Sequence, residues 1–500
     1  MKQLITIAAA LLIVGVASAQ VDRNDFDKKK KEMQERFNQQ KNQSRQNYDD
    51  ARKKAEEEFA AFRKKANEEY AAAMQRAWQR MDVQPAMPMP EEPTPPKPPA
   101  PPAPDKKPTT EPLPQADVKP IAVPKPVVPA PPVPAPEPTE PSMRFFVYGI
   151  SCSVHTNVDE LGFKLTSVDE KGAAEAWKLM SQKKYDGLLH DCLERRDEMH
   201  LGDWGYMRIL QAAAEKLLGA GSNEAVLLQM YLLTQSGYNV RLAKVDGQFT
   251  LLMPFSRKVH SYSYTIIGDL DYFILTKTKS KSKSIEVCNV GFPREQVADI
   301  RLAELPILTG KPQPKRTFAG ERFGTMKASV GVDKSIIDFM NDYPVSDAWD
   351  YYALAGLSDV VKKELYPALR DQIEGKSAKK AALMLLDFVQ HAFEYATDQE
   401  QFGYERPLFA DESFYYPQND CEDRSIVYSI LVRDLLGLKV ALVHWKGHLA
   451  TAVAFPEEVE GDYFTIDGIR YTVCDPTYIG AGIGMTMPQF KNVKANLIKL

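Results

Sequence analysis

Prolines divide this chain more sharply than any other residue type. Between Val83 and Ser142 stand 24 of its 36 prolines, in runs such as Pro95-Pro96-Lys97-Pro98-Pro99 and Pro131-Pro132-Val133-Pro134. Each ring fixes φ and removes a backbone donor, so neither a helix interior nor a central strand can run through such a stretch. The expected conformation is a polyproline II spacer, reaching on the order of 180 Å at about 3.1 Å per residue. A ligand for aromatic grooves is the alternative role. Residues 83–142 are therefore assigned as a proline-rich disordered linker, and whatever packs must do so before it or after it.

Ahead of the linker, Phe26 to Met81 is rich in Lys, Glu, Gln, Arg and Ala and holds no Pro or Gly, which predicts one long helix over 22–82. Phe26, Phe37, Tyr48, Phe59, Tyr70 and Met81 follow one another at eleven-residue steps, with Met33, Ser44, Ala55, Ala66 and Ala77 as a second series. That period implies a straight or slightly right-handed coiled coil. Aromatics kept on one stripe suit self-association, so a homo-oligomer through residues 26–81 is expected. The alternative is a lone solvated helix carried by i,i+4 ion pairs such as Lys54 with Glu58. At the start, Lys2, the apolar segment Leu4 to Val16 and Ala17-Ser18-Ala19 form a signal peptide over 1–19, which implies export to a periplasm or the cell surface. No later run of about 18 apolar residues predicts a membrane span. A formal charge of -4 supplies no global field for nucleic acid or anionic membrane.

From Arg144 onward the composition turns globular, with helical patterns around Ala173 to Met180, Tyr206 to Leu218, Val361 to Ile373 and Ala378 to Tyr395 and short alternating strands between them. An α+β fold in two domains, 143–315 and 316–500, is expected. The halves share a pattern. Leu227 to Leu233 leads through Gly237 into Tyr238 to Ala243, and Ile430 to Leu436 leads through Gly437 into Leu438 to Val443. Ten residues beyond each glycine stand Gly247-Gln248 and Gly447-His448. The first half carries Asn223-Glu224 near the place of Cys421-Glu422, and Thr276 near that of Asp475, so it reads as a degenerate copy.

The five cysteines, Cys152, Cys192, Cys288, Cys421 and Cys474, are too few for a disulfide scaffold and leave at least one thiol unpaired. Cys421 lies in Tyr415-Tyr416-Pro417-Gln418-Asn419-Asp420-Cys421-Glu422-Asp423, where a polar loop meets the apolar run Ile426 to Leu436. A thiol at a helix N-terminus faces unpaired N–H groups that favour a thiolate. Gly447-His448 and Cys474-Asp475-Pro476 follow on predicted strands, giving a nucleophile, a base and a carboxylate in chain order. His444 competes with His448 for the base, but sits inside a strand that His448 follows. A zinc site built from His444, His448, Cys421, Cys474 and Asp475 is the rival use of the same residues.

Asp420-Cys421-Glu422-Asp423, Arg433-x-x-x-Gly437, Gly447-His448-Leu449-Ala450 and Cys474-Asp475-Pro476-Thr477 together resemble the bacterial transglutaminase-like cysteine hydrolases, a branch of the papain-like fold. The resemblance spans roughly Ala381 to Gly482 and takes in Tyr395-x-x-Asp398-x-x-Gln401-Phe402-Gly403-Tyr404-Glu405-Arg406-Pro407. It implies two tandem domains of that kind, with Cys421 as nucleophile, His448 as base and Asp475 orienting the imidazole. It also implies acyl transfer from a peptide or protein amide through a thioester. No cofactor and no metal-ligating residue is assigned from the sequence, which leaves metal dependence open. An ordinary thiol titrates near 8.5, and three flanking carboxylates would raise it, so His448 must outweigh them. Gln418, Gln390 and the Cys421 N–H are candidate oxyanion donors. The contrasting expectation is a non-catalytic envelope scaffold oligomerised by its N-terminal helix.

Overall fold

The computed structural model describes residues 23–89, 101–102, 108–121, 124–125, 127, 142–155, 157–275, 283–346 and 348–500. The expected signal peptide, much of the proline-rich segment and Thr276 lie outside them. The chain divides into two units, Met1–Lys65 and Ala66–Leu500.

Helix α1 (Arg23–Met74) leads to strands β1 (Trp78–Asp82) and β2 (Gln115–Pro120), then to a hairpin of β3 (Met143–Val147) and β4 (Ile150–Val154). Helices α2 (Glu170–Gln182), α3 (Asp186–Glu198), α4 (Gly202–Leu218) and α5 (Asn223–Gln235) precede β5 (Arg241–Val245), β6 (Gln248–Pro254), β7 (Tyr264–Ile267), β8 (Leu270–Ile274) and β9 (Ser284–Cys288). A short pair, β10 (Arg316–Ala319) and β11 (Lys327–Val330), opens the second half. It is followed by α6 (Lys334–Asp342), α7 (Trp349–Ala355), α8 (Asp359–Ile373), α9 (Ala378–Ala392), β12 (Glu394–Tyr395), α10 (Asp398–Gln401), α11 (Ala410–Tyr415) and β13 (Gln418–Asn419). Helix α12 (Cys421–Leu436) then leads to β14 (Lys439–Trp445), β15 (His448–Ala454), β16 (Tyr463–Ile466), β17 (Ile469–Cys474) and β18 (Ala495–Lys499).

The fold is α+β, and its two large sheets repeat one order. The first runs β7-β8-β6-β5-β9-β1 and the second β16-β17-β15-β14-β18-β2. In each, a helix enters the central hairpin, a second hairpin extends one side, and the last strand returns to the other. The turns carry the needed conformations: Asp246-Gly247 joins β5 to β6 with φ of +48° and +76°, and Asp467-Gly468 joins β16 to β17 with +51° and +74°. Positive φ at both central residues suits the right-handed twist of a two-residue hairpin. Gly437, at φ +65°, ends α12 in the left-handed conformation and turns the chain into β14.

Ala66–Leu500 forms one compact unit, and one apolar core runs through both halves from Trp177 and Leu228 to Leu385 and Leu431. The long helix also stops earlier than its composition suggests. It ends at Met74, and Trp78 to Asp82 pairs antiparallel with β9. Trp78 explains the break: its Nε1 donates to Met74 O at 2.7 Å and its ring packs near Phe249, so tertiary burial overrides helix propensity. Tyr70, Ala71 and Met74 are buried in the core, while Asn67 Oδ1 accepts from Trp177 Nε1 and Gln235 Nε2. The eleven-residue stripe therefore changes use along its length, core at Tyr70 and exposed at Phe37 and Tyr48.

The proline-rich segment is not a spacer throughout. Residues Gln115–Pro120 pair in parallel with β18 and form the edge of the second sheet, and Leu113 is buried among Val443, Trp445 and Phe464. Edge position is what makes this possible, because an edge strand can spare backbone donors that proline lacks. Leu113→Ala should cost about 2–3 kcal/mol by loss of buried methyl groups and the cavity left behind. Urea unfolding monitored by tryptophan fluorescence measures this, and an unchanged midpoint would show that the segment is not seated.

Candidate active site

Asp475 follows β17 and holds His448, the first residue of β15. His448 Nε2 lies 2.9 Å from Asp475 Oδ2, and both side chains are buried. Asp475 Oδ1 accepts from Thr477 N at 2.9 Å and Tyr478 N at 3.1 Å, so its carboxylate is fixed from both ends. A carboxylate can only accept, which places the shared proton on Nε2 and leaves the Nδ1 lone pair of the neutral ring for a proton from elsewhere. Phe490 lies parallel to the imidazole, with centroids 5.1 Å apart, and Trp445 stacks at 6.1 Å. These rings restrict rotation about the imidazole and keep water off it. From sequence Trp445 is expected to line a groove or pack in the core; Phe490 is not anticipated, since a lone aromatic outside a periodic element carries no signal of what it stacks on.

Cys421 is the first residue of α12 and is buried. One turn along, Ser425 Oγ donates to Leu449 O at 2.9 Å. Residues i and i+4 share a helix face, so the face bearing Cys421 is the one fastened beside the start of β15. His444, by contrast, packs against Trp349 at 4.5 Å, and Asp475 takes His448. The zinc arrangement finds no support: among the described residues, the groups able to hold a metal are carboxylate sets and a His190, Asp191, Glu194 cluster, not the cysteine and histidine set. Gln390 is withdrawn as an oxyanion donor. Its Nε2 is spent on Asp475 O, Tyr478 O and Ala481 O at 2.9 to 3.2 Å, a brace for the loop that carries Asp475.

The acidic neighbours behave differently from three surface carboxylates. Asp420, Glu422 and Asp423 are all buried, together with Asp398. Asp423 accepts from Leu408 N at 2.8 Å and Asp420 N at 3.4 Å. Burial, then the nearby Asp420, push the Asp423 and Glu422 carboxyls well above the usual range. Burial, then Asp420 and Asp423, push Asp398 up to about 10. These shifts favour the protonated forms of Asp398, Glu422 and Asp423, which lessens the repulsion those three exert on a thiolate. The Cys421 thiol donates to Glu422 Oε2 at 3.2 Å. A carboxyl that retains its proton can reverse that bond and donate to the sulfur once the thiolate forms. The oxygens of Asp398, Glu405 and Glu422 lie within 4.8 Å of one another, as do those of Asp398, Asp420 and Asp423, so a hard divalent cation is the other means of neutralising them.

Arg406 pairs with the buried Glu412 and gives its backbone N–H to Asp398. The remaining thiols are ordinary core residues. None of the five cysteines is in a disulfide, and burial pushes Cys288 and Cys474 up to about 12 and raises Cys152 and Cys192. Comparison with protein-family models, curated proteins and solved structures returns no match. The site therefore stands on this chain's own residues.

Asp398 sets the sign of a pH effect. Its folded-state pKa of about 10 exceeds the ordinary carboxyl value, so its contribution to stability is full in acid and is lost as pH rises from about 4 through about 10. Wild type should lose urea resistance between about pH 5 and about pH 8, and Asp398→Asn should lose less over the same interval. Parallel slopes for the two proteins would show that Asp398 carries no proton.

Proposed function

We propose that the chain is an exported transglutaminase-like cysteine hydrolase built from two tandem domains of that kind, the first degenerate. It acts on peptide amide bonds at the cell envelope. The observation that carries this is the buried His448–Asp475 pair, held at 2.9 Å at the strand start to which the Cys421 face of α12 is fastened. The matching strand order of the two sheets supports the tandem arrangement. The leader-like residues 1–19 support export, and no helix among the described residues is long and apolar enough to cross a membrane.

In this mechanism His448 Nδ1 takes the thiol proton as the sulfur attacks the amide carbonyl carbon. Asp475 balances the imidazolium that forms. The imidazolium returns the proton to the leaving amine, the C–N bond breaks, and an acyl thioester remains on Cys421. Water then gives a proton to His448 and its oxygen to the carbonyl carbon; the C–S bond breaks, the imidazolium returns that proton to the Cys421 sulfur, and the acid leaves. Water is the acyl acceptor proposed here, since it needs no binding site of its own. A scaffold that only binds is the second possibility, favoured by the burial of the Cys421 side chain.

Alkylation separates them. Iodoacetamide at neutral pH should label Cys421 ahead of the other four thiols, and His448→Ala should slow that labelling by about 100-fold. Mass mapping of the modified peptides reads the result, and equal rates in both proteins would leave a scaffold. The exposed Phe37 and Tyr48 stripe of α1 is proposed to join copies of the chain. Full-length protein should sediment as an oligomer that Phe37→Glu with Tyr48→Glu dissociates; a monomer at every wild-type concentration would remove the coil.

A further inference from the structure

We infer that the first half holds a peptide-binding cleft at the place where the second half holds its catalytic residues, and that its ligand is an extended segment pairing an apolar side chain with a basic one. This rests on the cavity between α4 and α5 and stands whether or not Cys421 is a nucleophile.

The position is set by the shared strand order. Asn223 begins α5 as Cys421 begins α12, and Gln248 begins β6 as His448 begins β15. In place of a thiol and an imidazole stand two amides bonded to each other. Asn223 Nδ2 donates to Gln248 Oε1 at 3.0 Å, while Asn223 Oδ1 accepts from Phe249 N at 2.7 Å. No proton can be exchanged by this pair, so nucleophilic chemistry is excluded here. What remains is space: a cavity of about 540 Å³ opens beside the pair, a size suited to ligands.

Its walls have distinct chemistry. One is apolar, formed by Val226, Phe249, Leu251 and Leu275. The opposite wall is a chain of polar groups along α4. Arg208 is clamped by Asp342 at 2.7 and 2.9 Å and donates to Gln211 Oε1 at 2.9 Å, and Gln211 donates to Glu215 Oε1 at 3.0 Å. Arg208 and Asp342 cancel, which leaves the half-buried Glu215 carboxylate as the net charge of this wall. Deeper in, Gln229 lines the cavity; it is only 8% exposed and its Nε2 donates to Met207 O at 3.0 Å, which leaves its amide oxygen as the acceptor it can offer a ligand.

A peptide meets each demand. A backbone N–H satisfies the Gln229 oxygen, an aliphatic or aromatic side chain covers the Val226 and Phe249 wall, and a Lys or Arg side chain reaches Glu215. A neutral sugar lacks the charge, and an acidic ligand would oppose it. The cleft thus selects amide polymers of the class the second half is proposed to cleave, and holds them without reacting.

Fluorescence anisotropy with the full chain carrying Cys421→Ala tests this, the probe being fluorescein-labelled Gly-Ser-Leu-Lys-Gly-Ser, with Leu-Glu and Ser-Lys versions as comparators. Saturable binding of the Leu-Lys peptide is expected, about tenfold tighter than either comparator. Val226→Trp, which fills the cavity, should abolish binding. Glu215→Gln, which leaves the packing intact, should weaken the Leu-Lys peptide about fivefold and leave the Leu-Glu peptide unchanged or tighter. Absence of saturable binding up to about 2 mM overturns the proposal, as does equal binding to the parent and both variants. Because Cys421 is absent throughout, these outcomes are independent of whether the second half proves to be an enzyme.

Discussion

A buried guanidinium holds the second half together at the point where its chemistry would occur. Arg424 is 1% exposed, sits in the first turn of α12, and donates to Asn419 Oδ1, Gln390 O and Phe393 O at 3.0, 3.3 and 2.8 Å. Its partners are two carbonyls at the end of α9 and an amide oxygen on β13, so one cation fixes the loop before Cys421 to the helix whose Gln390 braces Asp475. Burial lowers its proton affinity, and the Tyr395 ring 5.5 Å away supplies part of the compensation. An arginine used this way fixes geometry more than it adds stability, because its desolvation cost offsets much of what its hydrogen bonds return.

Most of the local structure was legible. Helices around Ala173, Tyr206, Val361 and Ala378 stand where apolar periodicity put them, as does the strand pair on either side of Gly447. Cys421 at a helix start and His448 at a strand start followed from the loop-to-helix and turn signals beside them. The His448 and Asp475 contact could be expected only through chain order and likeness, since nothing local in Cys474-Asp475-Pro476 says which imidazole it will meet. Two kinds of residue escaped. Arg424 and Phe490, and Gln390 in its role as a brace rather than an oxyanion donor, act through long-range partners that local periodicity cannot report. The edge strands at Trp78 and Gln115 were hidden by composition, since charged helix formers and prolines both argue against sheet until a sheet edge is available to receive them.

The acidic run around Cys421 shows why charge in a sequence is not charge in a fold. Written out, Asp420-Cys421-Glu422-Asp423 places three negative groups against a thiol. Folded, Glu422 and Asp423 are enclosed, and burial shifts both toward the protonated form, which donates hydrogen bonds as well as accepting them. The electrostatic burden on His448 is correspondingly smaller than the sequence implies.

The two outer strands impose an order on biogenesis. Both β1 and β2 leave the ribosome before the strands that receive them, and β2 must wait from Pro120 until Ala495 is made. An ordinary strand left naked for that interval would invite pairing with other chains. Prolines on either side deny it the backbone donors such pairing needs, so the composition that disguised this strand also guards it until its berth exists.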